Sequence, residues 1–424
     1  MPRFGVPNLC GADLVLIAGA AIAGSVTTQA TYTQAGAAVL IALVLIVSVG
    51  LVRGGTALRP HRWAIAVAYL VCIVVQAVKP PLDNVHGNTV LRVAVGFGIA
   101  ATVVAAATLL RARAAVVVAA VALIGVSYAL VVAGGSPIID VWVILQQSSL
   151  AVVHGMNPYV LHFSGVPPGQ TSGCFNYLPA TFLLPIPGRL IGDVRWVEAA
   201  SMLAAVIVLA VRVRGTARRD PRWIALALLL GVLPGALYDV QQAWNETLLL
   251  GALVIAAVLI DAGRGWWAVL PLAVGLATKQ HLVLLLPLFW MWPGVGPRRT
   301  IAAVGGAAAI TAPWLLLNYG RFQTCTVDFF LHIAPRGTSL SVWHWIPSAV
   351  HVPVLLVALL VGYVIVFARA PRTAGGLLIA GAVVFAFFDL VNKQTFLNQW
   401  LFVAQLIVAG LALHGARGRD PVSR

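Results

Sequence analysis

The sequence predicts an all-α integral membrane protein that crosses the bilayer many times. Three observations predict it. Hydrophobic residues make up 61% of the 424-residue chain and charged residues only 9%. Apolar runs of about 18 residues recur along the chain from Leu14 onward, enough for helices that span the hydrocarbon core. Most of the arginines fall in short breaks between those runs: Arg53, Arg59 and Arg62; Arg111 and Arg113; Arg212, Arg214, Arg218, Arg219 and Arg222; Arg298 and Arg299; Arg369 and Arg372; Arg417, Arg419 and Arg424. That is the distribution of positive-inside topology marking. It accounts for the net charge of +15 without a nucleic-acid partner, for which a basic groove with interleaved aromatics is expected.

With basic loops assigned to the cytoplasm, the spans follow in order. Segments 11–28 and 35–52 form a first hairpin, read as retained rather than as a cleaved signal peptide. Segment 63–78 leads out to an outer turn at 79–88, 89–110 returns, and 114–133 delivers residues 136–193 to the outer face. Tyr177–Gly192 is apolar but only about 24 Å long as a helix, and Pro179, Pro185 and Pro187 interrupt it. Residues 136–193 therefore read as one outer loop with two interfacial helices, and 194–213 returns. Segment 223–238 leads to an outer turn, Asp239–Glu246, and 247–260 comes back.

Residues 266–292 have basic or inner loops at both ends and a polar break only at Thr278–His281. Two half-length helices of about 18 Å each are expected to meet at Lys279, where broken backbone must line a cavity or be buried in protein. Segment 301–318 leads to a second outer loop, Asn318–Pro347, and 349–367, 373–390 and 399–413 complete the chain. The total is about 14 spans, with both termini inside.

Asp140 follows the break Gly134-Gly135-Ser136-Pro137 at the end of an apolar segment. Helix period puts Asp140, Gln147 and His154 on one face. Sorted by side, the outer face also collects Asn157, Tyr159, Tyr177, Gln241, Gln242, Asn245, Glu246, Lys279, Gln280, His281, Arg321, Asp328, His332, Arg336, His344, Lys393, Gln394 and Gln399. Ionisable groups in or at the mouth of a membrane bundle are costly and mark function. Few acids among many basic and amide groups suit an anionic, hydroxyl-rich ligand, with one carboxylate kept for proton transfer. Asp140 has a structural alternative as a helix cap, and Lys279 as a snorkelling residue. The chain has only three lysines, Lys79, Lys279 and Lys393, and none lies in an arginine-rich loop. The outer histidines lack metal-ligand spacing, so no metal is expected there. Cys174 and Cys325 both fall in outer loops, where a disulfide would tie the loops together.

Four features in order along the chain resemble the GT-C membrane glycosyltransferases, and among them the polyprenyl-phosphate-mannose-dependent enzymes of glycosyltransferase family 87. They are Asp140 followed by Gly155-Met156-Asn157-Pro158-Tyr159; Tyr177-Leu178-Pro179; Lys279-Gln280-His281 ahead of Pro287; and Asn392-Lys393-Gln394 with Asn398. The resemblance covers residues 114–424 and leaves 1–113 as extra N-terminal helices of unknown role.

The resemblance implies a GT-C-type fold, a polyprenyl-phosphate sugar donor and an inverting transfer, with Asp140 as general base. Lys279, with Lys393 or Arg321, would hold the departing phosphate. His154, Asn157, Tyr177, Gln241, Asn245, Glu246, Gln280, His281 and Gln394 would surround the substrates. No cofactor is implied. Mannose is the family's sugar, with arabinofuranose and others open. The alanine-, glycine-, valine- and arginine-rich composition fits a GC-rich bacterium, hence a plasma-membrane enzyme with a cell-envelope glycolipid acceptor. The rival reading is a transporter or lipid flippase, supported by the broken 266–292 segment.

Overall fold

The computed structural model describes residues 9–29, 31–55, 58–78, 96, 98, 100–102, 104, 114–167, 173–217 and 220–417. The outer turn expected over 79–88, with Lys79, and Arg111, Arg113, Arg218, Arg219, Arg419 and Arg424 lie outside them, as does the span expected over 89–110 apart from the few residues named. The described residues form helices and connecting turns, with no strand among them.

In chain order the helices are α1 (Gly11–Gln29), α2 (Gln34–Gly54), α3 (Arg62–Val78), α4 (Ala114–Ala133), α5 (Asp140–Val153), α6 (Ala180–Leu183), α7 (Ile186–Leu190), α8 (Arg195–Ala217), α9 (Arg222–Leu229) and α10 (Ala236–Gln241). They continue as α11 (Glu246–Asp261), α12 (Val269–Leu276), α13 (Leu286–Met291), α14 (Gly296–Leu317), α15 (Tyr319–Gln323), α16 (Phe329–His332), α17 (His351–Arg369), α18 (Ala374–Val391) and α19 (Leu397–Gly415). Eight of them are long and apolar enough to cross a membrane: α1, α2, α4, α8, α14, α17, α18 and α19.

The bundle centre is α19, packed against α18, α1, α9 and α11. Its tight packing shows in Trp400, Leu401, Val403, Ala404 and Leu406, all at 0% exposure. α1 also packs on α2 and α3, so the N-terminal helices belong to the same bundle as the rest. At the other extreme, only 11% of the apolar window of α14, and likewise of α17, is buried within the protein. Their apolar faces suit lipid.

The described basic loops meet at one end. Arg212 pairs with Asp261 at 2.6 Å, and Arg417 reaches the same carboxylate. Arg222 pairs with Asp220 and donates to the Pro60 carbonyl. Arg59 donates to the Arg417 carbonyl. The polar segments around Asp140 and Lys279 meet elsewhere in the fold, as their contacts show.

Two sequence expectations are realised locally. Proline breaks 177–192 into the very short α6 and α7, neither able to span. The 266–292 segment breaks after α12, passes through an extended Lys279 (φ −143°, ψ 134°), and resumes as a 3-10 turn and α13. The turn expected at Asp239–Glu246 is buried: Asp239 and Glu246 are 0% exposed, Asn245 1%, and Gln241 and Gln242 3%. It folds back among the helices, where Gln405 of α19 donates to Asp239 at 3.4 Å.

Candidate functional site

α5 carries Asp140 in its first turn and lies against α6 and α7. Ser149 donates to the Phe182 carbonyl (2.9 Å) and Arg189 to that of Gln146 (3.2 Å). At the other end Trp142 donates to Asp193, which is paired with the buried Arg195 at 2.7 Å. α5 ends at Gly155, whose φ of 72° favours glycine. The helix that bears Asp140 is thus fixed from both sides. Ile139 is the N-cap and makes no side-chain cap bond, while Asp140 in the first turn accepts from Val141 N–H at 2.8 Å, so its carboxylate also serves the start of the helix.

The broken backbone at Lys279 is satisfied by residues 178–181, within the 136–193 segment. Leu178 N–H donates to the Thr278 carbonyl (3.2 Å), Ala180 N–H to that of Ala277 (2.8 Å), and the Thr181 hydroxyl to Thr278 (2.6 Å). Helix ends leave carbonyls that need such partners when buried. Gln280 completes the joint, donating to the carbonyls of Asn176 (2.9 Å) and Thr326 (3.1 Å). The Cys174–Cys325 disulfide ties the same two segments, with a Cα–Cα distance of 5.7 Å. Cys325 and Thr326 belong to a π-helical turn, Thr324–Asp328, a form that recurs at functional sites. Beneath it Tyr159, Phe175, Phe182 and Phe322 form an aromatic cluster.

These segments enclose a cavity of about 330 Å³. Its wall includes six of the residues expected from sequence: Asp140, Tyr177, Asn245, Glu246, Lys279 and Gln394. It also includes Arg336 and Gln399, which the sequence sorts to the same face, and Asn398 of the last motif, and it adds Asn176, Tyr238 and Trp244 with an apolar flank of Phe329, Phe330 and Ile333. Lys279 Nζ donates to Glu246 Oε1 and lies 5.7 Å from the Tyr177 ring centre. Glu246 Oε2, Asn245 Oδ1 and Asn176 Oδ1 are buried acceptors without a protein hydrogen bond, available to donors on a ligand. Burial, then the negative fields of Asp140 and Glu246, push the Tyr177 phenol well above its usual range. Tyr177 therefore stays a neutral donor.

Just before Asn245 the chain passes through Ala243 at φ 54°, a left-handed conformation costly for alanine. The residue is fully buried, and Trp244 N–H closes the turn on the Asp239 carbonyl at 3.0 Å. Strain held in this way commonly sits beside a functional group; here it turns Asn245 and Glu246 toward the cavity.

The other expected residues sit off the wall. His154 is exposed at the end of α5. Asn157 caps the 3-10 turn Pro158–Val160 by accepting from Tyr159 N–H. Gln241 is buried and accepts from Gln242. Gln280 is the structural joint described above. His281 packs edge-on against Phe385. Lys393 donates to the Leu331 carbonyl. Arg321 lies in α15, held by Asn318. Of the two outer-loop arginines the sequence offers, Arg336 lines the cavity and Arg321 does not.

No family model, curated protein or solved structure matches this chain. Function is therefore argued from the cavity itself. Two carboxylates, Asp140 and the Lys279-paired Glu246, share it with two cations, Lys279 and Arg336, several amides, and an apolar flank.

Proposed function

We propose that the protein is a membrane glycosyltransferase of the GT-C type, resembling family 87, which transfers a sugar from a polyprenyl phosphate to a hydroxyl of a cell-envelope glycolipid. The observation that carries this reading is the shared cavity of Asp140, Lys279 and Arg336. The two cations suit the phosphate, the amides suit sugar hydroxyls, and Phe329, Phe330 and Ile333 suit the first isoprene units.

In this reading the acceptor oxygen attacks the anomeric carbon while Asp140 takes its proton. The bond between that carbon and the phosphate oxygen breaks, and its electron pair leaves with the polyprenyl phosphate. Lys279 and Arg336 stabilise the charge that develops there. Lys279 is shared between Glu246 and the phosphate, so Glu246 acts as a positioning residue. Direct displacement inverts the anomeric configuration. The sugar proposed is mannose, by resemblance alone, and arabinofuranose is the first alternative to supply.

The test is reconstitution in liposomes with labelled polyprenyl-phosphate sugars and a membrane-lipid acceptor. Transfer with inversion is expected, and Asp140→Asn should abolish it while preserving the fold. Wild-type transfer by Asp140→Asn would sink the mechanism. A second reading, a lipid-phosphate flippase, is favoured by the broken helix at Lys279 beside the buried Asp239 and Glu246. It predicts donor movement between leaflets without any new glycosidic bond.

A further inference from the structure

At the arginine-rich end, three side chains of metal-ligating type converge from two separate segments. Cys10 precedes α1, Asp13 lies in its first turn, and His61 precedes α3. One ligand atom from each, the Cys10 thiol, an Asp13 oxygen and a His61 ring nitrogen, lies within 4.8 Å of the other two. Asp13 is fully buried, while the His61 side chain is 51% exposed, so the cluster is closed on one side and open to solvent on the other. The proposed transferase chemistry makes no use of these residues.

The backbone around them is held in place. A Cβ at Gly11 would come within 2.2 Å of the Gly50 carbonyl oxygen and 2.3 Å of Gly54 N, so α1 and α2 cross there at a distance only glycine permits. Leu58, at 0% exposure, closes over Gly54. His61 N–H donates to Asp13 Oδ1 at 2.7 Å, and Cys10 N–H donates to Asp13 Oδ2 at 3.0 Å. The nearest arginines are directed elsewhere: Arg59 to the Arg417 carbonyl and Arg62 to Asp220. A cation entering the cluster meets two acidic ligands rather than a competing charge.

The geometry points to a binding site for a divalent transition metal, zinc first, held by Cys10, Asp13 and His61 with water in the fourth position. Thiolate, imidazole and carboxylate together suit zinc, cobalt or nickel rather than magnesium or calcium, which take oxygen ligands. His61 Nδ1 and Asp13 Oδ2 are 2.7 Å apart, a hydrogen-bond distance. Tetrahedral zinc with ligand bonds of about 2.0–2.2 Å needs them roughly half an ångström further apart. The exposed imidazole has room to make that adjustment. Binding is balanced as follows: the Cys10 thiol loses one proton to water, the imidazole carries its proton on Nε2, and sulfur and Nδ1 bond the metal. The metal would then fasten the start of α1 to the start of α3.

The test is titration of Co²⁺ and Zn²⁺ into chelator-treated full-length protein in detergent. One Co²⁺ per chain is expected, with tetrahedral visible bands and a thiolate charge-transfer band, displaced by Zn²⁺. Cys10→Ser should remove the charge-transfer band, and His61→Gln should weaken binding at least about tenfold. Zinc should also protect Cys10 from alkylation in the wild type. That readout is clean, because Cys72 is buried and Cys174 and Cys325 are paired. If the cluster is only a hydrogen-bonded clasp, equimolar Co²⁺ gives no thiolate band and zinc leaves alkylation unchanged, and the inference fails. It fails equally if both variants bind as the wild type does. Should Cys10→Ser not fold, the His61→Gln titration and the alkylation assay decide alone.

Discussion

Lys279 donates a hydrogen bond to Glu246 from the break between two half-helices, and both residues line the cavity that Asp140 borders. The side chains are 12% and 1% exposed, respectively. Removing one charge from such a pair leaves the other buried and uncompensated, at a cost of about 3–5 kcal/mol. Lys279→Met should therefore destabilise the protein strongly, and Lys279→Met with Glu246→Gln should recover much of the loss. Thermal melts of both variants in detergent check this. The double variant should still fail to bind donor, since the cation is gone. Equal melting of the single and double variants would show that the two residues are not coupled.

Asp140→Asn tests the proposed base. The substitution is isosteric and half-buried, and the amide oxygen of asparagine can still accept from Val141 N–H. Melting temperature should stay close to that of the wild type. Sugar transfer should fall by about 10²–10⁴-fold, the usual contribution of a positioned base, with donor KM little changed. A matched loss of melting temperature and transfer would assign Asp140 a structural role instead.

Much of this arrangement is readable from the chain. The apolar runs, the arginine loops, the prolines in 177–192 and the polar break at Thr278–His281 are local signals, and each appears as a helix, a loop or an interruption. Two cysteines in loops assigned to one face allow the Cys174–Cys325 disulfide without requiring it, and the structure forms it. Tertiary contacts were beyond such signals. Asp239–Glu246 reads as a polar turn, yet it is buried because Gln405 of the last helix and Lys279, 33 residues beyond Glu246, give it partners. Gln280 reads as a ligand but serves as a joint, since its partners Asn176 and Thr326 come from distant segments.

Arg336 is one of several basic residues the sequence sorts to the outer face, and it gives a sharp comparison with Arg321 and Lys393, which sit off the wall. Leu340 N–H pairs with the Thr395 carbonyl at 2.7 Å, and Gln394 donates to that of Ala334 at 2.6 Å. This pairing sets the loop's path and brings Arg336 to the cavity wall beside Phe396, whose ring centre lies 5.7 Å from its guanidinium carbon. Arg336→Gln should weaken donor binding by about 10–100-fold, the loss of one hydrogen bond to a charged group. Arg321→Gln and Lys393→Gln should bind donor within about twofold of wild type, being off the wall. Equilibrium binding of a labelled polyprenyl phosphate measures all three.

The disulfide makes the last prediction, because it closes a long stretch of chain directly over the joint at Gln280. Cys174 and Cys325 are 151 residues apart in sequence, and cross-links of long loops restrict the unfolded chain most. Its removal should cost about 2–4 kcal/mol. Cys174→Ser with Cys325→Ser should melt lower than the wild type, and reductant should lower the wild type but not the variant. The hydrogen bonds from Leu178 and Ala180 to the carbonyls at the helix break remain when the sulfurs are gone, so the cavity should survive at low temperature. Donor affinity measured well below the melting point should then match the wild type. A large loss of affinity there would make the disulfide part of the site's geometry rather than a support for the loops above it.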